Sequence, residues 1–302
     1  MSIGKQIGWR GEALGWDGYQ SVFRAMGLDA ASDRGAAIAK AIGPKLTQHH
    51  IAKVNMGIAF PDAAPREIDR LREAMWENLG RTLGEFPNVH RLDFTNGDER
   101  LTIKGREIVD HLVREGRRGI FIGAHFGNWE VMAAVAANAV ERCLFAYRRT
   151  NNPRIDRRII AQRNRNGMTE FAPKGSEGGK ALMKALKEGS WAAMLVDQKM
   201  NDGIEAPLFG RPAMSASAHA RMAVRYDAPI VPVSVVRRGG ANFTVEFHEP
   251  IPVPVTEDKH QQTLELVTAT NRFVQERIHA NPEQWFWVHR RFEKPLYRRD
   301  GS

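Results

Sequence analysis

The sequence predicts an α/β fold, with a mostly parallel central sheet flanked by helices and a helical N-terminal extension ahead of it. Three observations carry this. Apolar positions recur at helical spacing through the first hundred residues, whereas from residue 119 short apolar runs alternate with polar helical segments. A chain of 302 residues with 42% hydrophobic content can also enclose a core of that size.

Taken in order, Tyr19, Val22, Phe23 and Met26 make a short helical stripe with two readings, core packing or a surface helix lying on lipid. Ile38 and Ile42 end a second helix at Gly43-Pro44, a glycine stop followed by a breaker. Ile68, Leu71, Met75, Leu79 and Leu83 form a third stripe, introduced by Asp62 and Pro65 and suited to a core. Runs at 119–123, 143–147, 168–172, 191–196, 230–236 and 243–247 read as strands. Helical stretches near 128–140, 154–166, 177–188, 215–226 and 260–280 separate or follow them. With no repeat, low-complexity segment or Pro/Gly/Ser-rich linker, residues 1–100 are expected to extend the same domain as an α/β core over 101–302.

Lys and Arg number 44 against 35 Asp and Glu, and the net charge of +9 favours nucleic acid, anionic membrane or acidic substrates and carriers as partners. The only cysteine, Cys143, lies in the apolar run Cys143–Tyr147, which suits a buried thiol in a reducing compartment. No stretch reaches the ~18 consecutive apolar residues of a membrane span, and the first residues lack a secretory apolar region. A location on the cytoplasmic side is expected.

The most informative segment is Gly123-Ala124-His125-Phe126-Gly127-Asn128-Trp129-Glu130, where a buried strand gives way to a helix. Ligands of open α/β sheets bind at that edge. Five residues apart on a continuous helix, His125 and Glu130 would point about 140° away from each other, so they meet only if His125 precedes the helix and Gly127 turns the chain. The spacing also excludes the zinc arrangement in which ligands four apart share a face. Taking the proton of an alcohol requires a base such as imidazole, with a carboxylate behind it to fix the tautomer. His125 is thus the candidate base and Glu130 its orienter.

The H-x4-E box within GAHFGNWE resembles the signature of glycerolipid-type acyltransferases, in the version found in the late acyltransferases of lipid A biosynthesis. Further segments resemble the same family in the same order: Tyr147-Arg148 followed by Asn152-Pro153, Asp197-Gln198-Lys199, Pro207 through Ala213, and Pro282 through Phe292. The likeness covers roughly residues 35–295. It implies a glycerolipid-acyltransferase-like sandwich. It also implies transfer of a fatty acyl group from an acyl carrier protein thioester to a lipid A precursor at the inner membrane, without metal or bound cofactor. Carried over residue by residue, it makes His125 and Glu130 the catalytic pair and points to Arg148, Asp197 and Arg211 as pocket residues. Members usually begin with a membrane-spanning anchor, which this sequence does not show, so peripheral attachment to an anionic surface is expected. Leu208 stands beside Phe209 where two aromatics are common in the family.

Read from the residues alone, Arg148 after a strand suits a bidentate phosphate contact or an ordinary surface position. Asp197 ends a strand at the expected site edge. Phe209-Gly210-Arg211 offers an apolar wall, a turn and a cation for an acidic acylated sugar, or simply a turn. Lys174 through Lys180 fails as a Walker motif, because Lys174 replaces the first glycine and Ala181 the Ser or Thr. Trp285, Phe286 and Trp287 beside His289, Arg290 and Arg291 suit a docked C-terminal segment or a membrane interface. A hydrolase would need a G-x-S-x-G elbow, which is missing, and a nucleic-acid module would show an RNP1 sequence or zinc-finger spacing, also missing. Acyl-CoA as donor, with another polar glycolipid or phospholipid as acceptor, is the alternative within the same chemistry.

Overall fold

The computed structural model describes residues 3–298. Residues 1–2 and 299–302, the outer ends of the two segments expected from the sequence, lie outside the described residues. The chain begins with four helices, α1 (Ile3–Met26), α2 (Leu28–Ile42), α3 (Thr47–Ala59) and α4 (Pro65–Glu85). There follow β1 (Leu101–Lys104), α5 (Arg106–Arg114), β2 (Ile120–Gly123), α6 (Trp129–Asn138), β3 (Cys143–Tyr147), α7 (Pro153–Arg165), β4 (Glu170–Pro173), α8 (Ser176–Lys187) and β5 (Trp191–Leu195). The hairpin β6 (Ile204–Leu208) and β7 (Arg211–Ser215) leads to α9 (Ala218–Tyr226), β8 (Ile230–Arg237), β9 (Phe243–Phe247) and α10 (Lys259–Ala280).

The main sheet has seven strands in the order β1-β9-β8-β2-β5-β3-β4, and every neighbour pair is parallel except β8 with β9. Period-two alternation splits the side chains between two cores. Ile120, Ile122, Leu144, Ala192 and Met194 face α8, α9 and α10. Phe121, Phe145, Ala193 and Val231 face α5 and α6. The chain therefore leaves β2 for a helix on one face and leaves β5 for helices on the other, which opens a crevice at the C-terminal ends of these neighbours.

One seam in the sheet parts early. β2 stays paired with β5 through Gly123↔Leu195, and β3 with β4 through Tyr147↔Pro173, but β3 and β5 separate after Phe145↔Ala193. The C-terminal edge is forked between β3 and β5.

The N-terminal helices are packed into this core. α2 and α4 approach backbone to backbone, because a Cβ on Gly35 would lie 2.2 Å from the carbonyl oxygen of Gly80, and one on Gly84 would lie 2.1 Å from that of Ala31. Gly43 ends α2 as expected, but in ordinary helical conformation rather than as a left-handed stop. The Trp76 indole lies where its Cβ would be. The first stripe divides: Tyr19 and Phe23 are half-buried with their rings in tilted contact, while Val22 and Met26 are exposed.

A buried polar network joins α4 to the sheet. Glu85 accepts two hydrogen bonds from Arg237 of β8 and others from Ser32 and Asn128, at 2.6 and 2.7 Å. Arg237 also donates to Asn78 and Thr82. Ions buried this deeply are tolerated only when every lone pair and proton has a partner, and here each neighbour supplies one. Because Asn128 caps α6, the network also fixes where that helix starts.

Candidate active site

Three strand ends that are neighbours in the sheet supply the centre of the site: His125 follows β2, Asp197 follows β5 and Arg148 follows β3. The loop carrying His125 is held from both sides. Gly127 adopts φ +51°, a conformation that favours glycine, and its carbonyl accepts from Asn78 and from Thr82 at 2.8 Å. Its N–H donates to the carbonyl of Gln284 at 2.8 Å, and the N–H of Phe286 donates to the carbonyl of His125 at 2.9 Å.

The carboxylate behind the imidazole is Asp197. Its Oδ1 lies 2.8 Å from His125 Nδ1, and its Oδ2 accepts from the His125 backbone N–H at 2.9 Å and from Trp285 Nε1 at 2.8 Å. Burial alone would raise this carboxyl, but the charge of His125, its ring hydrogen bond, His289 and the Trp285 indole outweigh burial and hold Asp197 well below the usual carboxylate range. An ionised acceptor assigns the neutral ring's proton to Nδ1 and leaves the Nε2 lone pair for a substrate.

Glu130, expected from the sequence to orient His125, holds a different partner. Asn128 accepts from the N–H groups of Glu130 and Val131, so Glu130 lies in the first turn of α6. Both of its oxygens accept from Arg163 of α7, at 3.0 and 2.6 Å. The imidazole instead meets the end of β5, which the topology inserts beside β2. Burial lowers the Arg163 guanidinium, but the charge of Glu130 and its hydrogen bond reverse that and raise it.

His125, Glu130, Arg148 and Arg163 line one cavity of about 560 Å³. Its deep walls are apolar and come from both sheet faces: Phe121, Met132, Phe145, Met168 and Ala193 on the α6 side, Ile122, Leu182 and Met194 on the α8 side. Side chains from the two faces meet along this cavity at the forked C-terminal edge between β3 and β5. At the mouth, Arg148 and Lys174 are exposed beside Gly175 and Ser176 at the start of α8.

Phe209, Gly210 and Arg211 are not among the lining residues. They form the tip of the β6–β7 hairpin, with Phe209 and Gly210 both at positive φ. The Phe209 ring is stacked on Trp287 and meets His279 edge-on, which anchors the strained turn to the core, while Arg211 is exposed. The C-terminal segment is docked: Trp285 and Trp287 are 1% and 0% exposed. Burial pushes the Cys143 thiol up, which suits an inert core residue.

Sequence reasoning did not single out Arg163 as a site residue. It stands in a helix that also carries Arg154, Arg157, Arg158 and Arg165, and nothing in the run marks it. Asp197 was visible as a strand end, but its partnership with a histidine 72 residues earlier depends on strand order.

A family model described as bacterial lipid A biosynthesis acyltransferase matches residues 14–294. The lipid A biosynthesis lauroyltransferase of Escherichia coli K12 is 25% identical over 249 residues, covering 79% of this chain and 77% of that protein. The palmitoleoyltransferase of the same organism is 22% identical over 246 residues, covering 80% and 78%. Lipid A biosynthesis acyltransferase 2 of Shigella flexneri is 20% identical over 240 residues, covering 78% and 75%. With the family match running through every element that builds the cavity, this chain belongs to the bacterial lipid A biosynthesis acyltransferases and is an acyltransferase.

Proposed function

We propose that the protein transfers a fatty acyl group from an acyl carrier protein thioester to a hydroxyl of a lipid A precursor, with His125 as general base held by Asp197. The observation that carries this reading is the His125 Nδ1–Asp197 Oδ1 contact of 2.8 Å at the wall of a cavity whose depth is apolar. The acceptor hydroxyl gives its proton to Nε2 as its oxygen attacks the thioester carbonyl. The tetrahedral intermediate then expels the thiolate, which takes the proton from the imidazolium. In this reading the acyl chain lies in the apolar depth beyond the fork. Glu130 acts through Arg163, holding the guanidinium at the cavity wall where carbonyl charge develops.

The mouth of the cavity, with Arg148, Lys174 and the N-terminus of α8, suits a phosphorylated group. The net charge of +9 supports docking of an acidic carrier and of an anionic membrane surface. No described helix is long and apolar enough to cross a membrane. Peripheral attachment at the cytoplasmic face of the inner membrane is supported by α1, whose outer face presents Ile7, Leu14, Val22 and Met26, all exposed. The deciding experiment incubates purified protein with a lipid A precursor and acyl carrier protein thioesters of several lengths. The acceptor should gain the mass of one acyl group, and an unchanged acceptor beside intact thioester would refute the reading.

A further inference from the structure

The segment from Pro282 to Phe292 does more than cover the core. Around Trp285 it runs antiparallel beside the His125 loop, in a bridge between Phe126 and Trp285, with hydrogen bonds to the loop on either side of it. Its indole edge packs against Trp287 at 4.6 Å and His289 at 5.5 Å between ring centres. Packing alone would accept phenylalanine there. The indole N–H, however, can only donate, and it is spent on a carboxylate with no exposed side-chain surface, 2.8 Å away. Among the described residues, the other two donors to Asp197 both belong to His125, so Trp285 supplies the one hydrogen bond that holds the carboxylate from outside the pair. His289 and Arg291, on the same segment, face the same charge.

We propose that Trp285 is a positioning residue for His125. By fixing Oδ2 of Asp197, its indole N–H keeps Oδ1 on Nδ1 and so sets the imidazole for proton transfer. The inference rests on the assignment of His125 as the base.

The test uses Trp285→Phe, which keeps an aromatic ring and removes the donor, with thermal melting to verify the fold. Losing one hydrogen bond to a buried charge should lower kcat by about 10- to 100-fold. KM for the thioester should stay within about twofold. In an Asp197→Asn background the same substitution should cost at most about threefold, because the charge it serves is gone. Equal losses in both backgrounds, or a change confined to KM, would overturn the proposal. A second measurement needs no substrate. In NMR spectra the Trp285 indole proton should resonate downfield and move upfield in Asp197→Asn, and the His125 ring signals should shift in Trp285→Phe. Unchanged His125 signals would sink the positioning role. Shifted signals in a protein with no transferase activity would instead leave the contact standing and remove the functional reading. If Trp285→Phe does not fold, the indole signal in Asp197→Asn still decides whether the contact to the charge exists.

Discussion

Two buried carboxylates, Glu130 in the cavity wall and Asp197 behind it, hold opposite kinds of partner. Asp197, at the end of β5, grips an imidazole, whose ring nitrogens can take up and release a proton, whereas Glu130, at the start of α6, grips a guanidinium that never loses its charge in practice. The contrast teaches that a box of residues near each other in sequence need not be a contact. His125 and Glu130 share a loop, but strand order and the helix cap send them to different neighbours.

Loss of the imidazole should have the largest effect. His125→Ala should lower the chemical step by roughly 10²-fold or more in a folded protein, measured by single-turnover acylation. Asp197→Asn should come close to that loss, because an amide cannot stabilise the imidazolium or fix the tautomer, and the two losses should not add. If Glu130→Gln were as damaging as His125→Ala while Asp197→Asn remained active, the roles given to the two carboxylates would be reversed.

Stability sharpens the other half. Removing Glu130 leaves Arg163 partly buried and unpaired, so Glu130→Met should destabilise by about 3 kcal/mol in urea unfolding. The double variant Glu130→Met with Arg163→Met should recover most of that stability without recovering activity. Recovery of both would reduce the pair to scaffolding.

Acidity separates the site from its surroundings. Burial lowers His289 and His219 to about 4, so the unfolded chain takes up protons at these residues near pH 6.5 while the folded chain does not until about pH 4. The stability tied to these residues is therefore full above pH 6.5 and falls across this window, on the order of 3 kcal/mol for the fully buried His219. Asp197 has the opposite history. Its depressed folded value makes its contribution present above the ordinary carboxylate range and lost only below about pH 4. Urea midpoints measured from pH 7 to 4 should decline less steeply in His219→Gln, and an unchanged slope would remove His219 from this account.

The smallest effect concerns attachment. Leu14 is 70% exposed on α1, and Leu14→Glu should weaken vesicle binding by up to about 2–3 kcal/mol while leaving the acylation of a detergent-solubilised acceptor unchanged. Unaltered vesicle binding in a flotation assay would move the membrane contact elsewhere on the basic surface.

Much of the fold could be read from residue order. Apolar runs from Gly119 onward became β2, β3, β5, β8 and β9 within a residue or two, because strands buried on both faces need continuous apolar sequence. β1 and the β6–β7 hairpin were not read as strands. Leu101–Lys104 is only four residues long, and Pro207 and Pro212 interrupt the usual strand signal in a hairpin apart from the main sheet. α3 was missed because His49, His50, Lys53 and Asn55 break the apolar stripe. At the site, each of His125, Arg148 and Asp197 was legible as the end of a strand. That they converge was not, since β5 enters between β2 and β3 only after β4 has been made. The Phe209-Gly210-Arg211 turn misled for the converse reason: its motif is local, while its ring is consumed by Trp287.

The fork between β3 and β5 bears on how such an enzyme can diversify. Past Phe145 and Ala193 the opening is bounded by side chains and no longer by ladder hydrogen bonds. Substitutions at Ala146, Ala193 or Met194 can change its width by a methyl group or two without breaking backbone pairing or moving His125. Preference for the guest can then drift through single steps that each leave the chemistry intact, so lineages sharing one proton-transfer apparatus are free to part company over the length of what they carry.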